Sequence, residues 1–185
     1  RLGLDKRLDT DSSDTGDLIS MVEIPSTGCP AIAYYDSGSN NVKFAAYDNG
    51  MWSVETLGSD SGIIDVDIVI DADGNPHIVH MSSSGVSYTT KVNGIWTEED
   101  TLGVLDGTEE LSLSINSWGL RLLTVTTTKL VEYGCSSNCA SYMNWAGGST
   151  IQTSASIVDS YGNHSVFITS SGLHYSDSLG TPALV

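Results

Sequence analysis

The sequence has few basic residues and no long apolar segment. Its 185 residues include 7 lysines and arginines against 23 aspartates and glutamates, which gives a formal net charge of −16. A surface this negative repels phosphate backbones and anionic lipids, so we predict no binding to nucleic acid or to a membrane surface. No stretch approaches the roughly 18 apolar residues of a membrane-spanning helix, so we predict no membrane insertion. The first ten residues also lack the apolar segment of a signal peptide.

Stretches with the 3.6-residue periodicity of amphipathic helices are missing as well. Glycine occurs 19 times, and hydrophobic residues make up 39% of the chain, a balance that favours short strands joined by polar turns. Apolar and polar residues alternate in segments such as residues 64–71, as in a strand with one buried face. The sequence therefore predicts an all-β protein.

Four segments repeat along the chain with a period of about 45 residues. The glycine of the first turn recurs at Gly28, Gly74, Gly119 and Gly162, at intervals of 46, 45 and 43 residues. An aromatic residue follows at Phe44, Tyr88, Tyr133 and Tyr175, and a tryptophan follows in three repeats, at Trp52, Trp96 and Trp145. Each repeat has the size of one four-stranded antiparallel blade of a β-propeller. We expect the tryptophans to fill the gaps between neighbouring blades.

The repeats predict a single β-propeller domain over residues 1–185. Its four blades cover approximately residues 17–57, 63–101, 108–149 and 153–185, with residues 1–10 added to the last blade. Residues 6–10 precede the first repeat as residues 52–56 precede the second, so we expect the N-terminal strand to complete the last blade and close the ring. In two alternatives, a partner chain or missing blades complete a larger ring, or two copies join as a homodimer. A β-sandwich also has many short strands, but the fixed period favours a propeller.

Motifs in the first two repeats resemble those of the sialidase-like repeat propellers. The motifs are GCPAIAYY, GNPHIVHM, AYDNGMW and KVNGIW. The resemblance implies degenerate Asp-box (BNR-type) repeats, because residues 48–52 read as a shortened version of that box. Sialidases bind a carboxylate with an arginine triad and also use a Tyr–Glu pair and an acidic Asp. Here the three arginines are Arg1, Arg7 and Arg121, with two in the N-terminal strand, so the resemblance implies the fold without the activity.

The chain has three cysteines, and two of them are close in sequence. Cys135 and Cys139 are separated by three residues in the loop before Trp145, a spacing that suits a disulfide at a hairpin tip. Free thiols and a metal site are the alternatives, although no second Cys or His pair supplies the remaining ligands of a zinc site. Cys29 is interpreted as a small residue at a turn. A disulfide indicates an oxidising compartment, so we predict a secreted or cell-surface protein.

Acidic residues lie near corresponding ends of the predicted inner strands. They are Asp17, Asp65, Asp67, Glu109 and Glu110. Inner strands line the central channel of a propeller, so one hypothesis is that several of these carboxylates hold a Ca²⁺ or Na⁺ ion at a channel mouth. The alternative is a solvated acidic rim, and no other cofactor is predicted. His77 and His80 face opposite sides of one strand and cannot bind the same ion.

Trp118 and Tyr161 lie in first-turn loops, away from the repeated tryptophan position. Because aromatic rings stack on the apolar faces of sugars, these two residues are the predicted ligand site, with core packing as the alternative. No nucleophile elbow, phosphate loop or defined pair of catalytic carboxylates is recognisable. We predict a non-catalytic extracellular propeller that binds carbohydrate or protein, or acts as a scaffold. The alternatives are a sialidase-like glycan-active enzyme, or a fragment of one, and a purely structural repeat of a large surface protein.

Overall fold

A computed structural model describes residue 8 and residues 18–97, 100–102, 108–153, 155–177 and 183–184. Within these ranges the chain forms 17 β-strands and a three-residue 3-10 helix, and the strands make four antiparallel sheets. None of the described residues belongs to a helix with the length and hydrophobicity needed to cross a membrane. The prediction of an all-β fold with four successive sheets is confirmed.

The strands follow one another along the chain and across each sheet. The first sheet contains β1 (Leu18–Ile24), β2 (Cys29–Asp36), β3 (Asn41–Asp48) and β4 (Met51–Ser59). The second contains β5 (Asp65–Ile70), β6 (Pro76–Ser82), β7 (Gly85–Val92), β8 (Ile95–Trp96) and β9 (Asp100–Thr101). The third contains β10 (Thr108–Asn116), β11 (Gly119–Thr126), β12 (Lys129–Cys135), the 3-10 helix (Tyr142–Asn144) and β13 (Ala146–Thr153). The fourth contains β14 (Ala155–Tyr161), β15 (His164–Thr169), β16 (Gly172–Asp177) and β17 (Ala183–Leu184).

Asn-Gly pairs form two of the tight turns. Asn49 and Gly50 have φ angles of 49° and 83°, and Asn93 and Gly94 have φ angles of 53° and 80°. Both residues of each pair therefore lie in the left-handed region, which two-residue hairpins require and which Asn and Gly tolerate. The turns connect β3 to β4 and β7 to β8.

The second sheet differs from the expected four continuous strands. The fourth strand that a four-stranded blade requires is divided here into β8 and β9, which both pair with β7. Strand β8 pairs at Lys91 and Val92, and β9 pairs at Ser87 and Tyr88. The outer position of this sheet is therefore filled by two short strands.

The sequence predicts that residues 1–10 complete the fourth sheet. Within the described residues, β17 supplies a strand beside β16 and pairs with His174 and Tyr175. Leu8, the described residue of the N-terminal segment, packs against the first sheet beside Ile32 and Tyr34. The rest of residues 1–10 lies outside the described ranges, so ring closure and the single domain over residues 1–185 stay predictions.

Apolar side chains form three cores, each between two consecutive sheets. The second sheet, for example, presents Ile78 to the first sheet and Val79 to the third. Two of the repeated tryptophans lie between neighbouring sheets. Trp96 packs on Phe44 of the first sheet, with ring centroids 5.3 Å apart, and Trp145 packs on Tyr88 of the second, at 5.6 Å. Both pairs are edge-on, an arrangement that aromatic rings prefer.

Candidate functional site

The first strands of the sheets, β1, β5, β10 and β14, contact one another in this order. Asp65 on β5 bonds to the amide of Leu111 on β10, and Asp67 bonds to the amide of Leu113. Residue numbers on the two strands rise together, so the strands run in the same direction. The Ser112–Ser160 and Asn116–Asn163 bonds indicate the same for β10 and β14.

The turns that follow these strands therefore lie at a common edge. We call it the first-turn edge, and it consists of residues 25–28, 71–75, 117–118 and 162–163. A cavity of about 740 Å³ lies between the four inner strands and is lined at this edge by Glu23, Ile70, Ile115 and Tyr161. Residues from all four sheets thus border one central space.

Of the predicted ligand residues, Trp118 lies in the 117–118 turn of this edge. Tyr161 was expected in a turn but is the last residue of β14, directly before the 162–163 turn. Their side chains are 81% and 87% exposed, so neither belongs to the core. Asn116 Oδ1 accepts a hydrogen bond from the Trp118 amide (2.8 Å), and Asn116 Nδ2 donates to Asn163 Oδ1 (2.7 Å). The two turns are therefore linked side chain to side chain. The structure leaves both aromatic rings facing solvent, and their role in ligand binding stays a prediction.

The predicted disulfide between Cys135 and Cys139 is confirmed. Its loop is also held by Trp145, whose indole N–H donates to the Cys139 carbonyl at 2.9 Å. The loop lies close to the Trp118 turn, because a Cβ added at Gly119 would fall 2.3 Å from the Cys135 carbonyl oxygen. Glycine is thus required at position 119, where φ is +127°, and the disulfide loop and the Trp118 turn are positioned together.

Two of the predicted ion ligands, Asp67 and Asp65, form hydrogen bonds that link neighbouring inner strands. The side chain of Asp67 accepts hydrogen bonds from Ser20 Oγ (2.6 Å) and from the amides of Ile68 and Leu113, so it links three inner strands. Burial raises the pKa of Asp67 to about 6, and these hydrogen bonds oppose the shift. Asp65 accepts a hydrogen bond from the Leu111 amide, and burial also raises the pKa of Asp65.

The two predicted glutamates lie on β10, where Glu109 is exposed and Glu110 is half-buried. Burial and the charges of Asp65 and Asp159 raise the pKa of Glu110. No group of three or more His, Cys, Asp or Glu side chains with metal-binding geometry occurs in the described part of the chain. Asp17 lies outside that part, so the Ca²⁺ hypothesis stays a prediction.

Two polar clusters were not predicted from the sequence. His77 lies with its Nδ1 2.6 Å from the Tyr88 hydroxyl and its Nε2 3.3 Å from Asp71 Oδ2. Burial lowers the pKa of His77, and Asp71 opposes this shift, so the neutral imidazole connects the 71–75 turn to β7. In the third sheet, the buried Arg121 side chain donates from Nε to Glu132. In each pair, His77 with Tyr88 and Arg121 with Glu132, the two residues are 11 positions apart on neighbouring strands. This spacing is enough to predict the pairs once the register of the hairpin is known.

No family model matches the chain, and no curated protein matches it at a significant level. Among solved structures, the chain is similar to one in a crystal structure of a nidogen/laminin complex, with 16% identity and a TM-score of 0.52 over 86% of this chain and 58% of that one. It is also similar to a candidate 6-phosphogluconolactonase from Bacteroides uniformis (11% identity, TM-score 0.49, 90% and 54% coverage). A third similar structure is PorZ of the Porphyromonas gingivalis type-IX secretion system (12% identity, TM-score 0.42, 92% and 28% coverage). The chain spans less than two thirds of each of these proteins, and at such identity the likeness concerns the fold alone.

Proposed function

We propose that this chain is a non-catalytic, extracellular β-propeller module that binds a carbohydrate or protein ligand at its first-turn edge. The observation that carries the proposal is the pair of exposed rings, Trp118 on one turn and Tyr161 at the strand end before the next turn, where the two segments are hydrogen-bonded to each other. Large aromatic side chains with little core contact offer binding area and a polar group at a low entropic cost. Their turns are fixed, so the rings need little ordering when a ligand binds.

The propeller is supported by the parallel inner strands around one cavity and by the similarity to the nidogen/laminin structure. In our proposal, residues 1–10 add a strand to the last sheet, and the position of Leu8 near the first sheet supports this. In the closed ring Trp52 would pack on Tyr175, as Trp96 packs on Phe44. A second copy or a partner chain completing a larger ring is the alternative. The degenerate sialidase-like character of the repeats remains part of the proposal.

The Cys135–Cys139 disulfide supports an extracellular location, because such bonds persist in oxidising compartments. The nidogen/laminin structure is a complex between proteins, which favours a protein ligand. The exposed tryptophan favours a carbohydrate. The proposal therefore includes both ligand classes, and an experiment must distinguish binding of a carbohydrate from binding of a protein.

A glycan array and a panel of chromogenic glycosides test this proposal together. We expect the array to show binding that weakens in the Trp118→Ala, Tyr161→Ala double variant, while no glycoside is turned over. Turnover that a single carboxylate substitution abolishes would instead identify a glycan-active enzyme. Absence of binding both on the array and to purified extracellular matrix proteins would overturn the binding proposal.

A structural role in a larger surface protein is the second candidate. It is favoured by four apolar residues on one face of the fourth sheet, Val166, Ile168, Leu173 and Tyr175, each more than a third exposed. Such a patch is typical of a surface that packs against another sheet. Concentration-dependent self-association in light scattering, combined with an array without ligands, would support this role over ligand binding.

A further inference from the structure

A groove of about 440 Å³ lies on the third sheet beside the Trp118 turn. At its floor, Gly134 is paired across strands with Arg121 on one side and with Ala146 on the other. Cross-strand partners point to the same face, so two small neighbours leave a depression beside the arginine. A Cβ added at Gly134 would lie 3.9 Å from its nearest neighbour. Close backbone packing therefore does not require glycine here, and the space above it is open to a ligand.

One wall of the groove carries a buried donor. The Arg121 side chain is 4% exposed, and its Nε donates to Glu132. Among the residues that the structure describes, its Nη1 has no hydrogen-bond partner. An unpaired buried donor is unfavourable. Nη1 lies below the surface of the groove, so an acceptor oxygen gains this hydrogen bond when the Arg121 side chain shifts towards it.

The rim of the groove carries the exposed indole of Trp118. Its turn is fixed by the Asn116 hydrogen bond and by the close approach of Gly119 to Cys135. An aromatic surface next to a donor suits a ligand that has an apolar face and several oxygens at its edge. A pyranose ring has both features.

The negative charge of the protein favours neutral pyranoses over anionic ones. Glu132 balances the charge of Arg121, and the chain as a whole carries −16. Uronate and sulfated sugars would be repelled by this field. We infer that the groove binds a neutral pyranose unit of a glycan, stacked on Trp118, and that the Arg121 side chain shifts to donate from Nη1 to an oxygen of the sugar. The inference rests on the proposed function, since it assigns a ligand class and a position to the same edge.

The test is a titration of the intact chain with neutral hexasaccharides (cellohexaose, maltohexaose and mannohexaose) and with the uronate oligomer hexagalacturonate. Binding is followed by calorimetry and by tryptophan fluorescence. We expect at least one neutral oligosaccharide to bind, and Trp118→Ala to weaken it by about tenfold or more, equivalent to 1.4 kcal/mol. Gly134→Leu fills the groove while keeping the indole and should weaken binding at least as much. Met51→Ala, which truncates an exposed apolar side chain of the first sheet that does not line the groove, is the matched control and should change affinity by less than about twofold.

Several outcomes overturn the inference. Preference for hexagalacturonate excludes a neutral ligand. Binding that survives Trp118→Ala and Gly134→Leu but is lost in Tyr161→Ala places the ligand elsewhere on the first-turn edge, and the proposed function then stands without this site. Binding of no neutral hexasaccharide also rejects the inference, whereas the proposed function fails only if array glycans and protein probes fail too. Ala146→Leu fills the same groove from an exposed position and replaces Gly134→Leu if that variant does not fold.

Discussion

In both the second and the fourth sheet, a histidine at the start of the second strand bonds to a tyrosine of the third strand. His77 Nδ1 lies 2.6 Å from the Tyr88 hydroxyl, and His164 Nδ1 lies 2.6 Å from the Tyr175 hydroxyl. The rings stack at 24° and 22°. Nevertheless Tyr88 is 1% exposed and Tyr175 is 37% exposed. The third sheet covers Tyr88 with Trp145, whereas Tyr175 lies on a face that is open to solvent.

The neighbours of these tyrosines follow the same division. Around Tyr88, the residues Val79, Met81 and Val86 are fully buried. At the same register positions around Tyr175, the residues Val166, Ile168 and Leu173 are exposed. Strand alternation therefore decides which side chains share a face, and the neighbouring sheet decides whether that face is core or surface.

The largest expected difference between the two sheets concerns the tyrosines themselves. Tyr88→Ala should lower the free energy of unfolding by about 3–5 kcal/mol, because it empties a closed aromatic site between two sheets. Tyr175→Ala should lower it by about 1 kcal/mol, since its ring is already partly hydrated. Urea unfolding followed by tryptophan fluorescence measures both values.

Equal losses for the two alanine variants would contradict the comparison and show that Tyr175 is covered in solution. A double-mutant cycle between Trp52 and Tyr175 then identifies the cover. Coupling within the monomer supports closure of the ring by the first sheet. Coupling that depends on protein concentration supports a second copy.

The inner strands provide the next test, because Asp67 links the second sheet to the third through its carboxylate, whereas Ser160 links the fourth sheet to the third through a neutral hydroxyl. Asp67→Asn should lower the free energy of unfolding by about 1–3 kcal/mol, since one amide oxygen cannot replace the carboxylate that serves Ser20 and two main-chain amides. Ser160→Ala removes the neutral hydrogen bond to Ser112 and should lower the free energy of unfolding by about 0.5–1.5 kcal/mol. A larger loss for Ser160→Ala in urea unfolding would refute this ranking.

Most features of the fold could be predicted from local sequence patterns. The repeat period predicted the four sheets, and the spacing of Cys135 and Cys139 predicted the disulfide. These features depend on residues near one another in the chain, so propensity and spacing suffice to find them.

Contacts between strands were harder to predict. The ion pair of Arg121 with Glu132 depends on the exact pairing of β11 with β12, and a one-residue shift would place the two side chains on different faces. The hypothesis of an ion site at Asp65 and Asp67 depends on their position on an inner strand, and it stays a prediction. Their carboxylates also accept hydrogen bonds from backbone amides of the next sheet, a relation that requires knowing how two sheets pack.

The pH dependence of stability offers a third comparison, since His80 and Phe167 occupy equivalent buried positions of the second and fourth sheets. Burial lowers the pKa of His80 to about 4, and the charge of Asp60 opposes the shift. Between pH 6.5 and about 4 the unfolded chain therefore binds a proton that the folded chain does not, and stability is lost as the pH falls. Asp67 acts in the opposite sense, because its pKa of about 6 lets the folded chain keep a proton up to that pH.

We therefore expect His80→Phe, which gives the second sheet the residue of the fourth, to remove much of the loss of stability on acidification. Asp67→Asn should steepen that loss. Each change alters the slope of the unfolding free energy by up to about 1.4 kcal/mol per pH unit. Urea unfolding at several pH values between about 4.5 and 6.5 gives the slopes. An unchanged slope in His80→Phe would mean that His80 is protonated in the folded protein.

The smallest expected effects come from removing only the tyrosine hydroxyls. Tyr88→Phe leaves the His77 Nδ1 without its donor in a buried site, so we expect a loss of about 1 kcal/mol in the free energy of unfolding. Tyr175→Phe removes the matching bond to His164 where water can replace the hydroxyl, so its loss should stay within about 0.5 kcal/mol. Tyr88→Phe should also raise the pKa of His77, because the hydroxyl stabilises the neutral ring, and an NMR titration of the imidazole measures this. Equal losses in the two variants would mean that burial does not set the strength of this bond, and the contrast between the two sheets would then be one of packing alone.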